Sequence, residues 1–284
     1  MDLAPEGIPL RVAFADTAAE IDCRDAELSA RLKQIFRHCQ TNNQPEVVYV
    51  INRPQPRQWE TRRNGELIRQ DLQEIDVLEG LMHDLVAQLI THTRGQAVFH
   101  AAGVARGGRA ALLVAESGSG KSTLTGWLVS RGLNYLSDEI IAWDAESRSV
   151  SGLARPLLLK RGATALWQGW LAAAGTLEQA QPFGNATLWL DPELIHPGSI
   201  CRQATPAVLI FPHYLPGANF QAAPLSPARA VFMLLQHLVN GPNLPGDGLE
   251  TASRLGQSLP AWEVVYGSFS DSLGDWVEKE LKLH

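Results

Sequence analysis

Apolar residues at positions 75, 78, 81, 82, 85, 86, 89 and 90 recur at three- and four-residue intervals, which predicts one long amphipathic helix over residues 72–93. A similar spacing behind an acidic start predicts a helix over 25–38. Short apolar runs predict strands at 10–14 and 47–51. Arg53, Pro54, Pro56 and Arg57 then break the alternation. Beyond them, strand-like segments at 59–61 and 66–69 flank Asn64-Gly65, the dipeptide best suited to a two-residue hairpin turn, and the region reads as a meander.

From residue 96 the texture changes to short apolar strands joined by glycine turns: 97–105, Gly107-Gly108, then 110–115. That connection is too short for a parallel crossover, so the two strands are expected to pair antiparallel within a mixed sheet. A helix over 121–130 closed by Gly132, strands at 134–137, 140–143 and 207–211, and a helix over 227–239 follow. The Pro- and Gly-bearing stretch 240–248 reads as a solvated connection or a lid. The fold class expected is α/β, a mixed sheet around a phosphate loop over 96–284, with a smaller α+β portion over 1–95 in front of it.

Composition narrows the function classes. With 284 residues, 45% hydrophobic and 19% charged, the chain can bury a substantial core. The balance of 24 basic against 30 acidic residues argues against broad capture of nucleic acid or of an anionic membrane. No apolar run approaches the roughly 18 to 20 residues that span a bilayer. No basic cluster precedes a hydrophobic segment near the N-terminus, and Cys23, Cys39 and Cys201 are scattered without metal-ligand spacing, so reduced thiols in a cytoplasmic protein are expected. Arg53, Arg57, Arg62 and Arg63 cluster around the hairpin, either as a solvated basic face or as a surface for an acidic partner.

The most informative residues are Ala115-Glu116-Ser117-Gly118-Ser119-Gly120-Lys121-Ser122-Thr123, set between an apolar strand and a helix. Phosphate binding needs several backbone N–H groups turned into one concavity, which glycines permit. Gly118 and Gly120 supply that freedom, the helix start adds positive potential, Lys121 can reach β- and γ-phosphate oxygens, and the Ser122 hydroxyl suits Mg²⁺. Ala115 stands where the first glycine of the G-x-x-x-x-G-K-[ST] pattern belongs, as the smallest side chain that can replace it. Glu116, Ser117, Ser119 and Thr123 complete the expected nucleotide-binding segment, and ATP with Mg²⁺ is the cofactor pair this chemistry suggests.

Seventeen residues beyond Lys121, the strand 134–137 ends in Asp138-Glu139. Carboxylates beside a phosphate loop can hold Mg²⁺ or accept a proton from an attacking hydroxyl. Because neighbouring strand residues point to opposite faces, one of the two is expected to face the γ-phosphate; Asp138 is the expected proton acceptor and Glu139, with Ser122, the metal ligand. His100, flanked by apolar residues, suits a satisfied core position as well as a catalytic one.

Taken together, His100 ahead of a glycine turn, the 115–122 loop, Arg131-Gly132 and Asp138-Glu139 resemble the catalytic domain of HPr serine kinase/phosphorylase and its bacterial HPr-kinase-related relatives, over residues 96–165. The resemblance implies that His100 and the acidic pair belong to an active site, that one carboxylate takes the proton of a serine hydroxyl, and that Lys121 and Ser122 serve phosphate and Mg²⁺. Arg155-Pro156-Leu157-Leu158-Leu159-Lys160 is similar to an Arg-Pro-x-x-x-Lys stretch of the related kinases, in which the lysine would offset triphosphate charge. Two departures stand out. Leu159-Lys160-Arg161-Gly162 lacks the metal-binding carboxylate that the family carries before its Arg-Gly, and residues 211–220 offer no counterpart to the arginine tied to phosphorylase activity. The expected activity is therefore forward transfer to a hydroxyl of a small protein, peptide or small molecule, with a slowly hydrolysing nucleotide-binding switch as the alternative. Residues 1–95 would recognise the substrate. Homo-oligomers are implied by the family, and neither nucleic acid nor membrane is expected as a partner.

Overall fold

A computed structural model describes residues 8–116, 118–179 and 187–282. The chain divides into two compact units, Met1–Thr93 and Arg94–His284.

In the first unit the elements are β1 (Leu10–Phe14), β2 (Thr17–Cys23), α1 (Ala26–Ile35), β3 (Val47–Gln55), β4 (Gln58–Arg63), β5 (Glu66–Asp71) and α2 (Glu74–His92). Among the described residues the strands form one sheet in the order β1-β2-β3-β4-β5. β2 and β3 are parallel, with α1 as their crossover, and the other neighbours are antiparallel. Alternate residues of β1 (Leu10, Val12, Phe14) and β3 (Val47, Tyr49, Ile51) are buried, as a sheet covered on one face requires. Asp25 caps α1 by accepting from the Leu28 N–H at 3.0 Å. The buried stripe of α2 runs through Val77, Leu78, Leu81, Met82, Leu85 and Leu89. Its partner polar group is Asp84, which accepts from the Tyr49 hydroxyl and from Arg63, each at 2.7 Å.

The second unit contains β6 (Ala97–Arg106), β7 (Arg109–Val114), α3 (Lys121–Ser130), β8 (Asn134–Ser137), β9 (Ile140–Asp144), β10 (Ser149–Gly152), β11 (Leu157–Lys160), α4 (Thr164–Ala174), β12 (Thr187–Leu190), α5 (Pro192–Ile195), β13 (Gln203–Tyr214), β14 (Gln221–Pro224), α6 (Pro227–Gln236), α7 (Leu249–Ser258), β15 (Ala261–Tyr266) and α8 (Asp271–Lys282). β7, β13 and β15 run parallel, whereas β6 is antiparallel to β7, β8 and β9, so the sheet is mixed. β10 pairs with both β9 and β13, which curls that side of the sheet back on itself. β7 and the middle of β13 are buried residue after residue, the signature of strands covered on both faces. On one face Phe99, Leu112 and Leu209 join Ala230 and Leu234 of α6 and Ala252 and Leu255 of α7 in a single core. α3 packs against β6, and α8 against β6, β7 and β13. This layering fixes the carboxyl ends of β7, β13 and β15 side by side, which is where α/β sheets present their ligands. Among the described residues no helix is long and apolar enough to cross a membrane.

Several expectations are corrected. β3 does not stop at Ile51 but runs through Arg53 and Pro54 to Gln55; the ladder with β4 is irregular between Asn52 and Gln55, so the missing proline N–H costs no bond. The strand expected at 207–211 extends over Gln203–Tyr214, with Pro206 at a register shift. The helix expected to reach 239 ends at Gln236. Residues 240–248 form two short 3₁₀ turns in which Pro242, Pro245, Gly246 and Asp247 are exposed while Asn240, Gly241, Leu244 and Gly248 are buried against the unit. Asn240 anchors them: buried to 2% exposure, it accepts from the Val98 N–H at 2.8 Å and donates to the Gln96 carbonyl at 2.9 Å. The basic cluster is largely neutralised in place, with Arg53 on Asp25, Arg62 on Glu60 and Arg63 on Asp84.

Candidate functional site

The site begins where β7 ends. Val114 is the last strand residue and Lys121 the first of α3, so six residues turn the chain from sheet to helix. Gly118 and Gly120 take φ of +85° and +89°, the left-handed region that glycine enters without a Cβ penalty. Gly120 is the N-cap of α3 and offers no side chain to it, and the first turn holds no acidic residue. The helix therefore presents its positive end and its first N–H groups uncompensated by side chains, as anion binding requires. Ser117 lies outside the described residues.

Lys121 points from this turn into the protein, at 5% exposure. Its ammonium donates to the Ala115 carbonyl, to the Glu116 carbonyl at 2.9 Å, and lies 3.3 Å from His100 Nε2. Burial pulls its pKa below the usual lysine value, opposed by the carboxylates of Glu139, Asp138 and Glu116. An ammonium has no lone pair, so His100 Nε2 accepts and the neutral ring carries its proton on Nδ1, which lies 3.7 Å from Glu139 Oε1. The His100 pKa is lowered by burial first and by the Lys121 charge second, against the pull of Glu139 and Asp138. His100 stands within β6, and its backbone N–H donates to the His237 carbonyl at 2.8 Å.

The acidic pair departs from the strand-based expectation. Asp138 and Glu139 occupy the two-residue bend between β8 and β9, so strand alternation does not separate them, and both line one cavity with Lys121. Their environments differ. The Asp138 side chain is fully buried; one oxygen lies 3.1 Å from the Tyr135 hydroxyl, whose single hydrogen it shares with the Arg155 carbonyl at 2.9 Å, and the other accepts from the Leu158 N–H at 3.1 Å. Glu139 keeps a third of its side chain exposed and accepts from Arg155 at 2.6 Å. Arg155 itself is 3% exposed and also lies 3.7 Å from Asp138. Burial alone would lower its pKa, but the Asp138 and Glu139 charges outweigh that and raise it. The result is a chain of groups, Arg155, Glu139, His100, Lys121, leading from the core to the glycine turn.

The cavity holds about 360 Å³, within the range of small-molecule sites. Of the residues expected from sequence, His100, Gly118, Gly120, Lys121, Ser122, Thr123, Asp138 and Glu139 line it. Glu116 and Ser119 belong to the turn without lining the cavity, Glu116 serving through its carbonyl. Lys160 lies at the rim, beside Leu158, Ala163 and Leu166. Sequence reasoning missed Arg155 as the partner of the acidic pair, and missed the wall of Tyr214, Tyr266 and Phe269. The signal for the tyrosines was available in principle: each closes a parallel strand at the same end from which the glycine turn departs.

No protein-family model matches the chain, and no curated protein matches it. Among solved structures, the HPr(Ser) kinase/phosphatase from Coxiella burnetii is similar at 13% identity, over 65% of this chain and 88% of that chain, with a TM-score of 0.31.

Proposed function

We propose that the chain is an ATP- and Mg²⁺-dependent kinase that transfers the γ-phosphate to a hydroxyl, most simply a serine of a small protein or peptide, with a small-molecule alcohol as the other acceptor class. One observation carries this reading: a glycine turn on an open helix N-terminus, with its buried lysine, shares a cavity with two carboxylates tied to a buried arginine. The turn and Lys121 supply anion binding, and the carboxylates supply what a hydroxyl needs on the other side of the transferred group. The Ser122 hydroxyl and the carboxylates in the same cavity are hard oxygen donors of the kind Mg²⁺ prefers; Ser122 with one of the pair would hold the ion, whose charge offsets that of the phosphates.

The environments favour Glu139 over Asp138 as the proton acceptor, reversing the sequence expectation. Both line the cavity, but the Asp138 side chain has no exposed surface and both of its oxygens are engaged, whereas Glu139 keeps a third of its side chain exposed and is steadied by Arg155 and by the Nδ1 side of His100. Asp138 then holds Arg155 and the bend in place and is the carboxylate of the pair that, with Ser122, would hold Mg²⁺.

Calorimetry with Mg·ATP and γ-labelled transfer to a host lysate test the reading. Lys121→Ala is expected to lose ATP affinity and transfer together. Glu139→Gln is expected to keep ATP binding while transfer falls about 10²- to 10⁴-fold, the usual scale of a positioned general base. Wild-type protein that takes up no Mg·ATP, or full transfer by Lys121→Ala, would overturn it.

A further inference from the structure

We propose that Tyr214 and Tyr266 form a nucleoside subsite, in which the Tyr214 ring stacks on the nucleobase and the Tyr266 hydroxyl donates to a ribose oxygen. The proposal rests on the triphosphate reading above and adds to it the part of the ligand that the glycine turn cannot hold.

Three observations carry it. The tyrosines are the last residues of β13 and β15 and are direct partners in that parallel ladder, so both side chains sit at the sheet edge from which the 115–120 turn leaves β7. A Cβ placed on Gly120 would lie 3.4 Å from the Tyr266 hydroxyl and 3.7 Å from Tyr214 Cβ, which puts the pair against the turn itself. The two rings are 5.5 Å apart and tilted, and Tyr266 leans in turn on Phe269 at 5.7 Å, so the wall is held in place before any ligand arrives.

The two side chains also carry unmet needs of different kinds. Tyr214, which lines the cavity, leaves 44% of its surface in water, an exposed aromatic ring beside the phosphate turn. A flat π-surface is the partner such a ring accepts most readily. Tyr266 is 1% exposed, and its hydroxyl is buried without a hydrogen-bond partner. Buried hydroxyls are rarely left so, and one beside a ligand cavity points to an acceptor brought by the ligand. Between a base on Tyr214 and phosphates on the turn, that acceptor is the sugar.

Calorimetry with two probes, Mg·ATP and Mg·tripolyphosphate, separates the nucleoside from the phosphates. Tyr214→Ala is expected to weaken ATP by about tenfold or more while tripolyphosphate binding is unchanged, with Tyr214→Phe restoring ATP. Tyr266→Phe is expected to weaken ATP by about two- to tenfold, leave tripolyphosphate unchanged, and raise the melting temperature of the ligand-free protein, because an unpartnered buried hydroxyl has been removed. A purely structural tyrosine would not move stability and affinity in opposite directions. If wild-type protein binds tripolyphosphate as tightly as ATP, or the variants weaken both probes alike, the subsite is overturned while the phosphate turn stands. If wild-type protein binds neither probe, the triphosphate reading falls and the subsite with it.

Discussion

Arg155→Met is the substitution that most directly tests how the acidic pair is held. Arg155 is 3% exposed, with one guanidinium nitrogen 2.6 Å from Glu139 and 3.7 Å from Asp138, whose side chain is fully buried. Methionine keeps most of the aliphatic stem, so the loss reports charge rather than a cavity. Removing the arginine leaves Asp138 buried between the Tyr135 hydroxyl and the Leu158 N–H, with the counter-charge that lies within 4 Å of it gone and the Lys121 ammonium farther off. Breaking a buried pair in this way costs about 3–5 kcal/mol, consistent with about 4 kcal/mol for unit charges 4 Å apart at an effective dielectric near 20. For a unit of roughly 200 residues that corresponds to a fall of about 6–20 °C in melting temperature. Urea denaturation followed by tryptophan fluorescence measures it. The double variant Arg155→Met/Asp138→Asn is expected to recover most of the loss, since the fully buried member of the pair then carries no charge to desolvate, while the charge that remains, on Glu139, is a third exposed. A single variant within about 1 kcal/mol of wild type, or a double variant no better than the single, would refute the argument.

Two further predictions concern stability. His100 and His237 are both held below the ordinary imidazole pKa, His100 by burial and Lys121, His237 by burial, Lys121 and His100. As pH falls the unfolded chain takes up these protons first, so their contribution is complete above about pH 6.5 and is lost as pH drops through the lower folded values. The urea midpoint should therefore decline from pH 7.5 to pH 5, and His100→Asn/His237→Asn should flatten that decline; an unchanged slope refutes it. Asn240→Ala strands the Val98 N–H and the Gln96 carbonyl and should cost about 2–4 kcal/mol, read from the same denaturation curves. A loss under about 0.5 kcal/mol would return the 240–248 segment to the status of a loose connection.

What could be read from the sequence divides along physical lines. Local rules found α2, the Asn64-Gly65 turn, the β6–β7 hairpin and α3 closed by Gly132, because periodicity and turn chemistry act within a few residues. They failed where distant partners decide. β2 was missed because Thr17-Ala18-Ala19 buries small residues without an apolar run, and its edges are supplied by β1 and β3. The length of β13 was missed because Pro206 and Pro212 argue against a strand, yet β7 and β15 flank it and the ladder absorbs the first proline in a register shift. At the site, the residues next to one another in sequence, 118–123 and 138–139, were legible. Arg155, Tyr214 and Tyr266 were not, since each reaches the cavity only through sheet and bend geometry.

The Lys121 ammonium has three hydrogens, and three acceptors surround it: the Ala115 and Glu116 carbonyls and His100 Nε2. A phosphate oxygen can be engaged only by giving up at least one of these, and the exchange is favourable because a charge-assisted bond to an anion is stronger than one to a neutral carbonyl. His100 is the partner whose loss has a consequence. Once the Lys121 charge turns toward phosphate, the influence that ranks second in depressing the His100 pKa weakens while Glu139 remains beside Nδ1. On the proposed triphosphate reading the imidazole is therefore expected to become more basic as the anion binds, which would couple occupancy of the glycine turn to the protonation state of the group next to Glu139.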